Sequence, residues 1–308
     1  MSLNLGLYSN LYMRMCRAYA RYRLGDKPAD FVMRFLNHVD FWKIHRYWPR
    51  FKNPRSFSEK VYSRLLFDRD SQWTLISDKL LVREYVASKV GNQYLIPLLW
   101  HGDKPEDIPF DKLPSKFVIK ANHGCGYNII VKDKTQLDRV NTIIKLKKWL
   151  GENYCQDKFL GTGWAYKNIK PTIILESFIE DNGRVPEDYK FFCFSGKAEF
   201  IQVSFDRFGD ATERILDRNF KPLDLYNGQK LYLGKVKRPD NYEDMLKLAE
   251  SLALGFDFIR VDLYSVGNRL YFGELTCYPA GGRAIFIPRK YDFLFGEKWK
   301  IRSTQEKV

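Results

Sequence analysis

Between residues 258 and 276 apolar and polar positions alternate in two runs, 258–264 and 270–276, around the turn-rich Ser265-Val-Gly-Asn-Arg269. Period-two alternation on both sides of a turn predicts a β-hairpin. Arg260 and Asp262 then share one face of the first strand, and Glu274 and Thr276 one face of the second. A loop with an odd number of residues, such as Gly267-Asn-Arg269, sets Asp262 opposite Glu274. A two-residue loop sets it opposite Gly273 unless a bulge restores the phase.

The same patterning predicts the rest of the chain. Residues 117–120 read as a strand that ends in a small-residue loop, His123-Gly-Cys-Gly-Tyr-Asn128, and 129–131 begin another. Residues 172–179 form an apolar strand interrupted by Glu176, and Asp188 opens a strand to Phe194. Thr135-Gln-Leu-Asp138 has the form of a capping box, opening a helix to about Tyr154 with Leu137, Val140, Ile144 and Trp149 on one face. Residues 241–255 predict a helix striped by Met245, Leu248, Ala249 and Leu252, with Gly255 as C-cap. Residues 1–68 read as helical and irregular. Strands and helices alternate without a regular βαβ rhythm, so the fold class is α+β.

Two carboxylates opposed on a stiff, half-buried hairpin repel unless a cation lies between them, and burying them unpaired is costly. Mg²⁺ is commonly held by one or two carboxylates together with nucleotide phosphates. Phosphate-binding elements lie upstream. Lys120 ends a strand, and Gly124 and Gly126 let backbone N–H groups converge on an anion. The loop matches neither a P-loop nor a Rossmann fingerprint. Glu176, a polar loop and Asp188 can clamp a nucleoside, the strand-edge backbone reading the base and the acids accepting from amino and hydroxyl groups.

The 308 residues suffice for two lobes or one large domain with a sizeable core. Net charge is +14, and residues 1–60 hold 12 Lys+Arg against 4 Asp+Glu. There Leu3, Leu5, Leu7, Leu11, Met13, Met15 and Tyr19 interleave with Arg14, Arg17, Arg21 and Arg23. The arginines exclude a signal-peptide core, and no run reaches the roughly 20 apolar residues of a membrane span. Two readings stand for this segment: a peripheral contact with an anionic membrane surface, or a helix packed on the body of the protein with solvated arginines. No nucleic-acid module is recognisable. Five scattered cysteines without CxxC spacing indicate neither zinc nor disulfides, and point to a reduced, cytoplasmic chain, peripheral to the inner face of the membrane on the first reading. Cys125 and Cys277 lack a His partner for nucleophilic work, and His123 lacks a second His at metal-ligand spacing.

In this order, NPRSFSEK, SDKLLVREYV, FVIKANHGCGYNIIVKD, YKNIKPTIILESFIED, DYKFFCFSGK, FIQVSFDR, FIRVDLY and YFGELTCYPAGG resemble the TupA-like ATP-grasp proteins of bacterial surface-polysaccharide loci. The resemblance runs from about Asn53 to Leu294. It implies an ATP-grasp fold, two α+β lobes with ATP between them: a basic helical segment over 1–68, then an ATP-grasp domain over 69–308 with lobes of about 69–178 and 179–308. It implies ATP and Mg²⁺ as cofactors. Lys79 and Lys120 resemble the phosphate-contacting lysines, and the loop bearing His123, Gly124 and Gly126 the phosphate cover. Glu176, Phe178 and Ile179 match the adenine hinge, Asp188 the ribose acid, and Lys190 a basic residue near the phosphates. Arg260 resembles the arginine that steadies an acyl phosphate. Asp262 and Glu274 match magnesium carboxylates, and Thr276 stands where many relatives keep Asn. The implied activity is a carboxylate–amine ligase of surface-polysaccharide biosynthesis or modification, forming an amide between an amino acid or amine and a uronic acid or similar carboxylate through an acyl phosphate. The alternatives are a glycosyltransferase of the same pathway, for which Asp68-Arg-Asp70 is the lone Asp-x-Asp, and a nucleotide-binding scaffold without catalysis.

Overall fold

The computed structural model describes residues 26–155, 163–181, 183–206 and 209–302, with side chains from residue 35 onward. The alternating leucines and arginines of residues 3–23 lie outside the described residues. Helices α1 (Asp26–His45) and α2 (Phe57–Phe67) come first. The start of α2 is fixed by a capping box: the Glu59 backbone N–H donates to Ser56 Oγ (3.1 Å), and Glu59 Oε2 accepts from the Ser56 backbone N–H (3.0 Å). Short helices α3 (Gln72–Ser77) and α4 (Val82–Val90) lead into the first sheet.

That sheet is antiparallel, with β1 (Leu98–Gly102), β2 (Phe117–Ala121), β3 (Asn128–Val131) and β4 (Ile173–Ser177) in the order β1-β4-β2-β3. Its crossover contains α5 (Arg139–Gly151) and α6 (Trp164–Lys167). The second sheet, also antiparallel, joins β5 (Asp188–Phe194), β6 (Lys197–Phe205), β7 (Thr212–Asp217), β8 (Phe258–Val266) and β9 (Arg269–Thr276) in the order β7-β6-β5-β8-β9. Helix α7 (Tyr242–Ala253) packs across β5, β6 and β8 through the predicted stripe Met245, Leu248, Ala249 and Leu252, all buried. Helix α8 (Lys290–Lys298) closes the described chain, and Trp299 after it is fully buried.

Two elements depart from the sequence pattern. Helix α5 begins at Arg139 with Asp138 as its cap, after a separate 3-10 turn at Lys134–Gln136. Its buried face is Thr142, Leu146 and Trp149, while Val140 and Ile144 are exposed. The capping acid sits later than the capping-box pattern implies, and the inward stripe shifts with it. The strand bearing Glu176 is not at an edge: β4 pairs with β1 on one side and β2 on the other.

Phe57, Val61 and Leu65 of α2 enter the main core, where Phe57 packs edge-on against Phe258. Phe41 of α1 joins Phe51, Tyr62 and Leu66 in a smaller cluster. His45, at the end of α1, donates from Nε2 to the Gly282 carbonyl (2.9 Å) and is held neutral, burial pulling its pKa from 6.5 down to about 4. Because the unfolded chain takes up this proton first, stability falls as pH drops from 6.5 towards 4, by about 3 kcal/mol in all. His45→Gln, which keeps a donor and cannot charge, is expected to flatten that limb when urea unfolding is followed against pH; an unchanged slope would remove the assignment.

Candidate active site

The β8–β9 hairpin has a two-residue loop, with Val266 paired to Arg269. Counting down from that turn would set Asp262 against Gly273. The ladder instead shifts between Asp262 and Leu263, leaving Gly273 as the extra residue, and Asp262 pairs with Glu274. Glycine suits the bulge, because a Cβ there would be crowded, 3.0 Å from the Asp262 carbonyl oxygen and 3.0 Å from the Tyr264 ring.

On this face Arg260 forks onto Asp262, Nε to Oδ1 (2.7 Å) and Nη2 to Oδ2 (2.6 Å), and Nη2 also donates to Glu274 Oε1 (2.8 Å). Thr276 Oγ1 donates to the same Glu274 oxygen (2.8 Å). The neighbouring strand β5 sets Lys190 beside Asp262, and Lys190 Nζ lies 3.0 Å from Asp188 Oδ2. Lys190 also donates to Ser204 Oγ on β6, which in turn donates to Glu213 Oε1 on β7 (2.9 Å). Burial pushes the Asp262 carboxyl up to about 7, with Asp188 and Glu274 adding to the push and Arg260 opposing it.

Against this face lies a cleft between the two sheets, lined by Lys79, Arg83, Val118, Lys120, Gly126, Ile130, Glu176, Phe178, Ile179 and, from the hairpin, Tyr264, Phe272 and Glu274. Lys120 and Glu176 come together because β2 and β4 are paired, and Lys120 Nζ donates to Glu176 Oε2 (2.6 Å). Arg83 Nη1 donates to the other oxygen, Oε1 (2.8 Å), and Nη2 to the Ile96 carbonyl (2.8 Å). Lys79 reaches the glycine loop and donates to the Gly124 carbonyl (2.5 Å). Gly126 has φ +79°, and a Cβ on Gly124 would run into the Tyr154 ring.

The structure thus gathers Lys79, Lys120, Gly126, Glu176, Phe178, Ile179 and Glu274 at one cleft, and Asp188, Lys190, Arg260, Asp262 and Thr276 on the sheet face joined to it through Glu274. His123 lies elsewhere, under the loop, with Nε2 3.0 Å from the Trp149 carbonyl and its ring against Tyr127. Cys277 is buried, and its thiol is pushed up to about 12 by that burial. Sequence reasoning missed Arg83, Ser204 and Glu213. Arg83 is separated from Glu176 by 93 positions, so no local spacing signalled the pair.

Among the described residues, Asp188, Glu213, Asp262 and Glu274 share this face with Arg260 and Lys190. The opposed oxygens of Asp262 and Glu274 are a donor set that suits a divalent cation. Among the described residues no group of three or more His, Cys, Asp or Glu forms a metal cage by itself. Magnesium held by two carboxylates and completed by phosphates needs none.

Among solved structures, the chain is similar to the D-alanine–D-alanine ligase of Bacillus anthracis complexed with ATP, at 17% identity and TM-score 0.38, covering 66% of this chain and 54% of that one. The D-alanine–D-alanine ligase of Helicobacter pylori gives 18% identity and TM-score 0.38, covering 73% and 60%. The ATP-grasp ligase PsnB complexed with minimal precursor, Mg and ADP gives 12% identity and TM-score 0.38, covering 67% and 52%. The chain therefore spans between half and three fifths of the length of these structures. No curated protein matches it in sequence. Residues 59–300, most of the chain and both of its sheets, match the TupA-like ATP-grasp family, and the chain belongs to that family.

Proposed function

We propose that this protein is an ATP- and Mg²⁺-dependent carboxylate–amine ligase acting on bacterial surface-polysaccharide precursors. The observation that carries the reading is the bulged hairpin, which brings Asp262, Glu274 and Arg260 together at the cleft where Lys79 and Lys120 converge. A carboxylate attacking a γ-phosphate brings anions together, and fixed positive charge in a partly dry site lowers that barrier without covalent participation. In this reading Lys79, Lys120 and the glycine loop hold the phosphates. Phe178 and Ile179, with the apolar floor of Val118 and Ile130, take the base, and Glu176 fixes Lys120. Asp188 accepts from the ribose or, from its present place, steadies Lys190. Asp262 and Glu274, with Thr276 beside them, would hold magnesium, whose contribution is charge neutralisation at the transferring phosphoryl group. The acceptor is an amine, the donor a uronic acid or similar carboxylate, and the product an amide formed through an acyl phosphate.

Membership of the ATP-grasp family supports ATP as the nucleotide and ligation as the reaction class. The transferase alternative has less support. Asp68 and Asp70 of the Asp-x-Asp accept from backbone N–H groups of Asp70 (3.1 Å) and Gln72 (2.9 Å), as turn-forming carboxylates do. Among the described residues no helix is long and apolar enough to cross a membrane.

Lys120→Ala tests the reading. Loss of a charged hydrogen-bonding group facing phosphate is expected to weaken Mg-ATP binding by about 1.5–3 kcal/mol, roughly tenfold to over a hundredfold. Equilibrium binding of ATP with and without Mg²⁺, beside UDP-glucose and UDP-glucuronic acid, reports it. Binding of the UDP-sugars alone would put the transferase reading first, and ATP binding without turnover in any mixture of acids and amines would favour the scaffold.

A further inference from the structure

Outside the cleft, the exposed flank of α1 and the loop after it combine bare aromatic rings with charge of a single sign. Phe35, His38 and Trp42 follow one another at intervals of three and four, so they form one stripe along the helix, with Arg46 four positions on, just past its end. Trp48 extends the stripe by packing its ring 5.7 Å from that of His38. Three large apolar side chains of this stripe stand in solvent: Phe35 is 55% exposed, Trp42 45% and Trp48 56%. The other side of α1 is spent on the body of the protein, through Phe41 and the His45 bond to Gly282. From Trp42 to Arg55 the chain carries Lys43, Arg46, Arg50, Lys52 and Arg55 and no acid, and all five cations are exposed. Arg289, whose guanidinium lies 5.4 Å from the centre of the Tyr47 ring, continues the basic border.

We propose that this stripe docks the protein on an anionic lipid surface. Exposed tryptophans beside cations suit the boundary between headgroups and acyl chains, because the indole has an apolar body and a polar N–H. The charge is complementary: each Lys or Arg near an anionic leaflet adds to the attraction, and no acid in the segment opposes it. Nucleic acid fits less well, since these cations sit on no recognisable binding module. The placement also has a use. Gly282, to which α1 is bonded, lies six residues beyond Thr276, so a docked α1 holds the cleft close to the surface. The proposal does not depend on the ligase reading, since none of these residues lines the cleft.

The test uses the full chain, so that residues 1–25 remain in every variant. Sedimentation with phosphatidylglycerol–phosphatidylcholine vesicles is compared with pure phosphatidylcholine, and tryptophan fluorescence is followed. The parent chain is expected to bind the anionic vesicles with a blue shift, and to release as salt is raised. Arg46→Glu with Arg50→Glu should weaken partitioning by roughly tenfold or more, and Trp42→Ala with Trp48→Ala should weaken it and remove the blue shift. Thermal unfolding of both variants should match the parent, because the substituted side chains are exposed. Binding that is equal for parent and variants, or equal on neutral vesicles, would overturn the proposal. So would lipid-independent dimerisation abolished by the tryptophan variant, which would assign the stripe to a second copy, or preferential capture of an RNA oligomer over the vesicles.

Discussion

Asp262→Asn or Glu274→Gln is expected to leave a folded chain whose ATP turnover falls by about two to three orders of magnitude. Both replacements keep the shape of the side chain, so the packing of the hairpin is preserved, and each removes one of the two acids that Arg260 bridges. The loss should fall on turnover and on the magnesium dependence of nucleotide binding together, because one pair of carboxylates serves both. ADP release, with any acid and amine that support it in the parent chain, is the readout, and thermal unfolding confirms the fold. Full turnover in either purified variant would refute the site.

The second large effect is on stability. Arg64, in α2, is buried and ion-paired with Asp257, and it donates to the carbonyls of Phe258 (3.0 Å) and Cys277 (3.3 Å). Its guanidinium also stacks between Trp73 and Trp299, 4.2 and 4.3 Å from the ring centres. One side chain therefore ties together the first residue of β8 and the residue that follows β9. Arg64→Ala leaves the Asp257 carboxylate in the core with neutral donors, the Phe258 N–H (2.7 Å) and the Trp299 Nε1–H (3.0 Å), in place of a cation, and takes a donor from two carbonyls; breaking a buried pair in this way typically costs about 3–5 kcal/mol. Lysine has neither the planar fork nor the stacking surface, so Arg64→Lys should recover little of the loss. Urea unfolding measures both. A loss below about 1 kcal/mol for Arg64→Ala would place the pair with exposed salt bridges.

The hairpin was legible because it is half-buried: one face packs and the other carries charge, so alternation survives in the sequence. Its register was not, because turn length and bulge position trade against each other and both give acceptable pairings; only the Gly273 shift decides for Asp262 and Glu274. Helix α7 was legible for the same reason as the hairpin, with Met245, Leu248, Ala249 and Leu252 facing a sheet. Helix α5 misled because it covers the protein with a narrow stripe and leaves Val140 and Ile144 in solvent, so apolar residues on two sides compete for the inward face. The glycine loop was found by composition, but His123 carries no signal that its ring turns inward to the Trp149 carbonyl. Arg83 and Glu213 were invisible because they reach the site across sheet and helix boundaries, as partners of Glu176 and of the Ser204–Lys190 pair.

The bulge at Gly273 has an evolutionary corollary. Parity along the hairpin is set beside the opposed acids and not at its tip, so Gly267 and Asn268 are released from any duty to the chemistry. Insertions there lengthen a surface loop at small entropic cost, and the lineage is free to vary that tip, or an engineer to graft a peptide onto it. Deletion of the single codon for Gly273 would leave the opposition standing too: without the bulge residue, Phe272 still pairs with Leu263 and Glu274 follows directly across from Asp262, in a regular ladder.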